Sequence, residues 1–364
     1  MSIFKAYDIR GIVPSELNEE IIYRIGRAFV LFLGCSEVVV GRDVRLSSDA
    51  LFESLARGIM DQGADIIDVG RVDTPMLYFS ARDKAAAIMI TASHNPKEYN
   101  GMKMCRENAI PLSGATGIQE IEKICSEGNF PDARRGKMIK VDKVDEFVGF
   151  SRTFADLGGG KRLKMVVDGA NGAGTLVYPK VFEGLALDFI PMYMEPDGTF
   201  PNHEANPLIE ENMRDLQKGV VKNGADIGIA LDGDADRCLF VDEQGKIQRA
   251  DIVGALIARE VLKRTPGATI LYDLRSSRSV KEEVEKGGGR AIQCRVGHAF
   301  IKRQMREHDA VFAVELAGHF YFKEHFYTES SAIATISVLN LLAKEKKPFS
   351  VLAGAVTRYA HSGE

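Results

Sequence analysis

Short apolar runs rich in branched residues alternate along this chain with longer stretches in which apolar residues recur every three to four positions. The first pattern marks buried strands and the second amphipathic helices. In the first part the spacing predicts a helix over 19–33, a strand over 37–40, a helix over 48–62, and strands over 64–69 and 86–91. Leu51, Leu55 and Ile59 recur at helical spacing, and Ser47, Ser48 and Asp49 can cap that helix. A helix over 115–126 and a polar segment, GNFPDARRGK, follow. The pattern then restarts: strand 163–167, helix 173–183, strand 185–190, helix 208–222, strand 226–231. It restarts once more with helix 250–263, strand 269–272, helix 278–286, strand 290–294, helix 298–306 and strand 310–314.

The periodicity predicts an α/β fold of three consecutive units, 1–143, 144–246 and 247–350, with mixed, mostly parallel sheets. Ligands in open α/β sheets collect at the carboxyl ends of strands. The third strand of each unit runs into an unusual polar loop: TASHNP, DGDADR and ELAGH. The first strands end in GRDVRLSS, DGANGAG and DLRSS. Three units therefore aim their loops at one shared central cleft.

Composition narrows the class. Across 364 residues, 45% are hydrophobic and 27% charged, as in globular proteins. A net charge of −4 argues against nucleic acid or an anionic membrane as partner. No apolar run approaches the ~18 residues that span a bilayer. The start, MSIFKAYDIRG, has no signal-peptide core, so a cytoplasmic protein is expected. Five scattered cysteines (35, 105, 125, 238, 294) without a CxxC pair fit reduced thiols and exclude a cysteine zinc site.

The strongest chemical signal is ALDGDADRCLFVDEQG, which sets Asp232, Asp234 and Asp236 at alternate positions after a strand. In a loop bent at Gly233 they can converge on one ion, and oxygen ligands alone select Mg²⁺ or Ca²⁺. An EF-hand is rejected, because Arg237 stands where the turn demands glycine and the flanks read as strands. A solvated acidic turn is the bland alternative, but three carboxylates this close repel unless a cation sits among them. Such a site leaves positions open for phosphate oxygens.

Other candidates are weaker. GANGAG lacks the GxGxxG spacing, with Val177 where the third glycine belongs, so a tight strand-to-helix turn is expected rather than a dinucleotide loop. The glycine runs 158–160 and 287–289 read as plain turns. GRDVRLSS suits an anion site or a helix cap equally, and Arg10 and His298 are ambiguous alone. Glu315, ending an apolar strand, needs a partner or a ligand. His319 and His325 lack metal-ligand spacing and read as structural.

Ser93, in TASHNP, has three readings. It lacks the GxSxG elbow of a hydrolase, and Pro96 removes a nearby backbone donor. It makes a good turn cap. As a phosphate carrier it would supply the anionic ligand that the aspartate loop lacks.

TASHNP with NGMK after it, DGDADR, and ExxGH in this order resemble the α-D-phosphohexomutases, the phosphomannomutase/phosphoglucomutase family. FKAYDIRG, GRDVRLSS, VDTPMLYF, VDGANGAG, FPNHEANP and RVGHAF match its other blocks, from residue 4 to the end. The resemblance implies a phosphoryl group on Ser93 and Mg²⁺ held by Ser93, Asp232, Asp234 and Asp236. It implies transfer between hexose 1-phosphate and hexose 6-phosphate through a hexose 1,6-bisphosphate. Lys103 matches the family's acid/base lysine, and Tyr7, Arg10, His94 and His298 match residues lining the site. Arg237 would neutralise phosphate, Glu315 would grip two sugar hydroxyls, and Arg275 stands where lysine is common. A small-molecule sugar phosphate is the expected partner, on a monomer or homodimer.

Two departures stand out. The sugar loop is usually GExSGH, and Ala317 replaces its serine. The family's fourth domain clamps the non-transferring phosphate, and YAHSGE resembles the entry to it. The resemblance thus implies that 351–364 is a linker to an absent domain, with weak substrate binding and low turnover. A Mg²⁺-dependent sugar-phosphate phosphatase and a catalytically weak sugar-phosphate-binding fragment are the competing functions.

Overall fold

The computed structural model describes residues 3–83, 86–158 and 161–360. Its strands form three sheets, one per predicted unit. Each begins from strands buried on both faces, which is why they read as continuous apolar runs. Ala86–Ile90 and Ile227–Leu231 are buried at every position, as is Phe312–Val314.

The three sheets share one plan. In the first, Ala86–Ile90 pairs parallel to Glu37–Arg42, which pairs parallel to Asp65–Arg71. In the second, Ile227–Leu231 lies parallel to Leu163–Asp168, which lies parallel to Leu187–Met192. In the third, Phe312–Val314 lies parallel to Thr269–Asp273, which lies parallel to Arg290–Cys294. Each time the third strand then turns back into an antiparallel partner: Tyr99–Arg106, Cys238–Asp242 or Phe320–Phe322. TASHNP, DGDADR and ELAGH are the connections of these three hairpins. The sheets are therefore mixed: parallel pairing joins the core strands of every unit, and each unit carries an antiparallel extension after its functional loop.

The helices pack on both faces of the sheets. Glu19–Leu33 is capped by the Asn18 side chain, which accepts from Ile21 N at 3.0 Å. It crosses Ser48–Asp61 so closely that a Cβ on Gly58 would lie 2.1 Å from Tyr23 O. One apolar cluster runs from the first unit through the second into the third, joining Tyr78, Phe147, Val167, Leu231 and Phe320. The units are thus packed against one another and not strung loosely.

Some elements differ from expectation. Ser47 occupies the cap position of the 48–61 helix without a side-chain cap bond. Ser48 Oγ donates instead to Asp43 Oδ1 at 2.6 Å, and Asn100 Nδ2 donates to both serine hydroxyls. The helix expected over 173–183 is a 3₁₀ turn, Ala173–Leu176, followed by the short helix Tyr178–Phe182, which carries Pro179 in its first turn. Residues 351–356, expected as linker, belong to the helix Phe349–Val356, whose Phe349, Leu352, Ala353 and Val356 are buried. The strand Tyr99–Arg106 and the helices Thr74–Ser80 and Ser331–Glu345 lie where the periodicity predicts no element. Gly159 and Gly160, and residues 361–364, lie outside the described residues. Among the described residues no helix is long and apolar enough to cross a membrane.

Candidate active site

The hairpin loops meet at a cleft of about 360 Å³, lined by Tyr7, Arg10, Ser93, His94, Lys103, Asp236, Arg237, Arg275, His298, Glu315, Ala317 and His319. That is within the size range of small-molecule sites. The lining is drawn from three units, while Asp232 and Asp234 lie behind it and do not line the cleft themselves.

Ser93 follows Ala86–Ile90 and has φ 52°, a left-handed conformation that is strained for a residue with a Cβ. Its backbone N donates to Thr91 Oγ1 at 2.9 Å. Its hydroxyl donates to Asp232 Oδ2 at 2.7 Å and lies 3.3 Å from His94 Nδ1. The approach of the two loops demands glycine at 233, where a Cβ would stand 2.4 Å from Ser93 O. The GANGAG glycines serve the same closeness. A Cβ on Gly172 would lie 2.8 Å from Gly233 O, and one on Gly174 would lie 2.9 Å from the Ala235 side chain.

Asp232, Asp234 and Asp236 are buried, with one ligand atom from each within 4.8 Å of the others. Asp234 Oδ2 accepts from Lys103 Nζ at 2.6 Å and from the Thr74 hydroxyl; its Oδ1 is buried without a partner. Lys103 Nζ also donates to Asp236 Oδ2. Arg237 Nε lies 3.1 Å from Asp232 Oδ2. An all-oxygen set with an unsatisfied carboxylate oxygen fits a hard divalent cation such as Mg²⁺. The loop joins two antiparallel strands, so the rejection of an EF-hand stands.

The charges sort by environment. Burial opposes the Lys103 ammonium, but Asp234 and Asp236 outweigh it and hold the lysine protonated. Burial, Asp234 and Asp236 push the Asp232 carboxyl up, whereas for Asp236 burial is outweighed by Lys103 and His319 and the carboxyl is held down. Burial together with Arg237 and Arg10 lowers His94 to about 2, so its imidazole is neutral. Burial, Lys302 and Lys103 likewise hold the His298 imidazole well below the usual histidine range. Arg10 pairs with Asp8 at 2.8 Å, and its Nη1 is buried without a hydrogen-bond partner, as suits an anion-binding group. Tyr7 meets the His298 ring edge-on at 5.6 Å.

Glu315, from the third unit, accepts from Gly297 N at 3.1 Å, His319 Nδ1 at 2.9 Å and Tyr321 OH at 3.0 Å. Burial raises its pKa, but the His319 and Tyr321 hydrogen bonds win and hold it at about 2. Arg275 forks onto Asp273 Oδ2 at 2.8 and 3.0 Å and lies 3.6 Å from Glu315.

Two residues of this constellation escape the sequence reading. His319, expected as structural, links Glu315 to Asp236 (Nε2 to Oδ1, 3.3 Å) and lines the cleft. Only its place in the ExxGH loop could have marked it. Thr74 ties the aspartate loop to the first unit through its hydroxyl and through its N, which donates to Asp234 O at 3.0 Å. His325 is buried away from the cleft against Thr328, as expected.

Comparison with known proteins bears on all three units. Residues 1–132, 145–245 and 249–359 match, in order, alpha/beta/alpha domains I, II and III of phosphoglucomutase/phosphomannomutase. A phosphomannomutase of Escherichia coli is 42% identical, over 100% of this chain and 82% of the relative. One from Methanocaldococcus jannaschii is 40% identical over 100% of this chain and 81% of its own length. A crystal structure of a phosphoglucomutase/phosphomannomutase family protein from Burkholderia thailandensis superposes with a TM-score of 0.92 at 35% identity, covering 97% of this chain and 79% of that one.

Proposed function

Because the chain belongs to the phosphoglucomutase/phosphomannomutase family, and is thus a phosphohexomutase and an isomerase, we propose how its own residues carry the transfer. The proposed substrates are hexose 1-phosphate and hexose 6-phosphate, mannose first and glucose second. Ser93 carries the phosphoryl group, and hexose 1,6-bisphosphate is the intermediate. The observation that carries this proposal is the Ser93 hydroxyl set on Asp232, at 2.7 Å, within a buried three-aspartate cluster at a cleft walled by arginines.

In the transfer, the bond from phosphorus to Ser93 Oγ breaks as one forms to a sugar hydroxyl oxygen. The hydroxyl proton leaves, and the serine oxygen regains one. Asp232, Asp234 and Asp236 would hold Mg²⁺, which supplies positive charge for the equatorial phosphoryl oxygens when bound. Lys103 begins as the ammonium, the form that gives a proton or offsets negative charge. The serine proton faces Asp232, and neutral His94 is the second group within reach of Ser93 Oγ. Arg10 and Arg237 face the cleft for the phosphate, while Glu315, fixed by three donors, presents an ionised carboxylate to sugar hydroxyls.

Intact-mass measurement after incubation with hexose 1,6-bisphosphate tests the carrier. The chain gains one phosphoryl mass, and Ser93→Ala gains none. Conversion of mannose 1-phosphate to mannose 6-phosphate, without matching release of inorganic phosphate, then distinguishes a mutase from a phosphatase. An unlabelled parent chain that still converts substrate would exclude the phosphoserine route.

A further inference from the structure

The Ser93 loop is held from beneath by one side chain. Arg45 lies in the loop after Glu37–Arg42, and its side chain is fully buried. Its Nη2 donates to Ser93 O at 2.8 Å and Asn95 O at 2.6 Å, and its Nη1 donates to Pro96 O at 2.7 Å and Tyr99 O at 3.0 Å. Asp43 Oδ2 lies 3.2 Å from its Nε, and Phe200, from the second unit, covers the guanidinium at 5.1 Å. Four carbonyls of one turn thus converge on a planar fork that only arginine offers. The bonded carbonyls begin with that of Ser93 itself, whose φ is left-handed. A strained serine persists where its surroundings over-determine it.

We propose that Arg45 is a positioning residue: by tying the carbonyls of Ser93, Asn95, Pro96 and Tyr99 together it sets the serine hydroxyl against Asp232. Arg45 is not among the residues that line the cleft, so its proposed role includes no contact with sugar or phosphate. Gly198, from the second unit, seals the same loop, since a Cβ there would meet Val44 O at 2.4 Å. A lysine at 45 keeps the charge but cannot reach four acceptors in one plane.

The test has two arms. Amide hydrogen exchange across 92–99 reads the loop without any chemistry, so it stands even if the phosphoserine mechanism fails. Exchange there is expected at least about ten-fold faster in Arg45→Lys, with the strands Glu37–Arg42 and Ala86–Ile90 unchanged. The kinetic arm rests on the phosphoserine proposal: kcat falls roughly 10²-fold, while KM for hexose phosphate stays within about two-fold. Asp43→Asn, which leaves the fork present but loses the anion that orients it, gives a smaller change in the same direction and serves if Arg45→Lys does not fold. Loop exchange as slow as in the parent chain in both variants overturns the inference. So does a rise in KM that accounts for the whole loss.

Discussion

At the scale of single residues, the site is a problem of buried charge solved by pairing. Three aspartates within one small volume would repel strongly, and each is expensive to bury alone. Lys103, Arg237 and His319 supply the opposing charge, and Thr74 adds a second donor to the Asp234 oxygen that Lys103 holds. A simpler pair nearby permits a pH test away from these aspartates. His203 Nε2 lies 3.0 Å from buried Asp168 Oδ2, with Nδ1 on Glu204 O at 2.8 Å; Tyr193 and Asp215 are its other polar neighbours. Burial lowers the pKa of this imidazole, but Asp168 outweighs it, and the net shift is upward. An unfolded histidine titrates near ~6.5. The pair therefore contributes its full stability below that pH and loses it as pH rises through the higher folded pKa. The melting temperature of the parent chain minus that of His203→Gln is expected to be largest near pH 6 and to shrink towards pH 9. A difference that grows with pH would contradict the assignment.

At the scale of elements, glycine decides which helices can meet. An alanine in an exposed helix position is favoured over glycine by about 0.5–1 kcal/mol. Gly149, in the helix Val144–Arg152, has open space where a Cβ would stand, with no atom within 4 Å, so Gly149→Ala gains about that much stability. Gly58 has the same helical preference, but its Cβ would lie 2.1 Å from Tyr23 O, a backbone atom that cannot rotate aside. Overpacking of about 1–3 kcal/mol outweighs the propensity, and Gly58→Ala loses stability. Denaturant melts of the two variants should move in opposite directions; movement in the same direction would show that the helix crossing can relax. The elements themselves are unevenly legible. Strands such as Ala86–Ile90 are uniformly apolar and short, so their pattern is clear. Tyr99–Arg106 is buried at all but its two end positions, yet Asn100 and Lys103 interrupt its apolar run because they serve Ser47, Ser48 and the aspartates. Ser331–Glu345 is buried nearly all round, so no one-sided stripe marks it. Ser93 and the three aspartates are visible because each sits in a polar loop directly after a clear strand. Arg45, Thr74 and His319 act through contacts distant in sequence, and local periodicity carries no trace of those.

At the scale of the whole molecule, the aspartate loop is a place where all three units touch. Towards the first unit, Asp232 takes the Ser93 hydroxyl and Asp234 takes Thr74 and Lys103. Towards the third, Cys238 N donates to Gly318 O at 3.0 Å, Ser331 Oγ donates to Ala235 O at 2.7 Å, and His319 reaches Asp236. A cation bound among these carboxylates therefore acts on the packing of the units as well as on chemistry. Binding to the folded state alone raises stability by about 2.7 kcal/mol when free ligand is 100-fold above Kd. Mg²⁺ is thus expected to raise the melting temperature of the parent chain by a few degrees and to slow proteolytic cleavage between the units. Asp234→Asn removes one of the three carboxylates and relieves repulsion, so its melting temperature without metal can equal or exceed that of the parent chain. The quantity to compare is the increment that Mg²⁺ adds, which should vanish in Asp234→Asn. An equal increment in both would place the stabilising ion elsewhere, and no increment in either would leave the aspartates paired by Lys103, Arg237 and His319 without a metal.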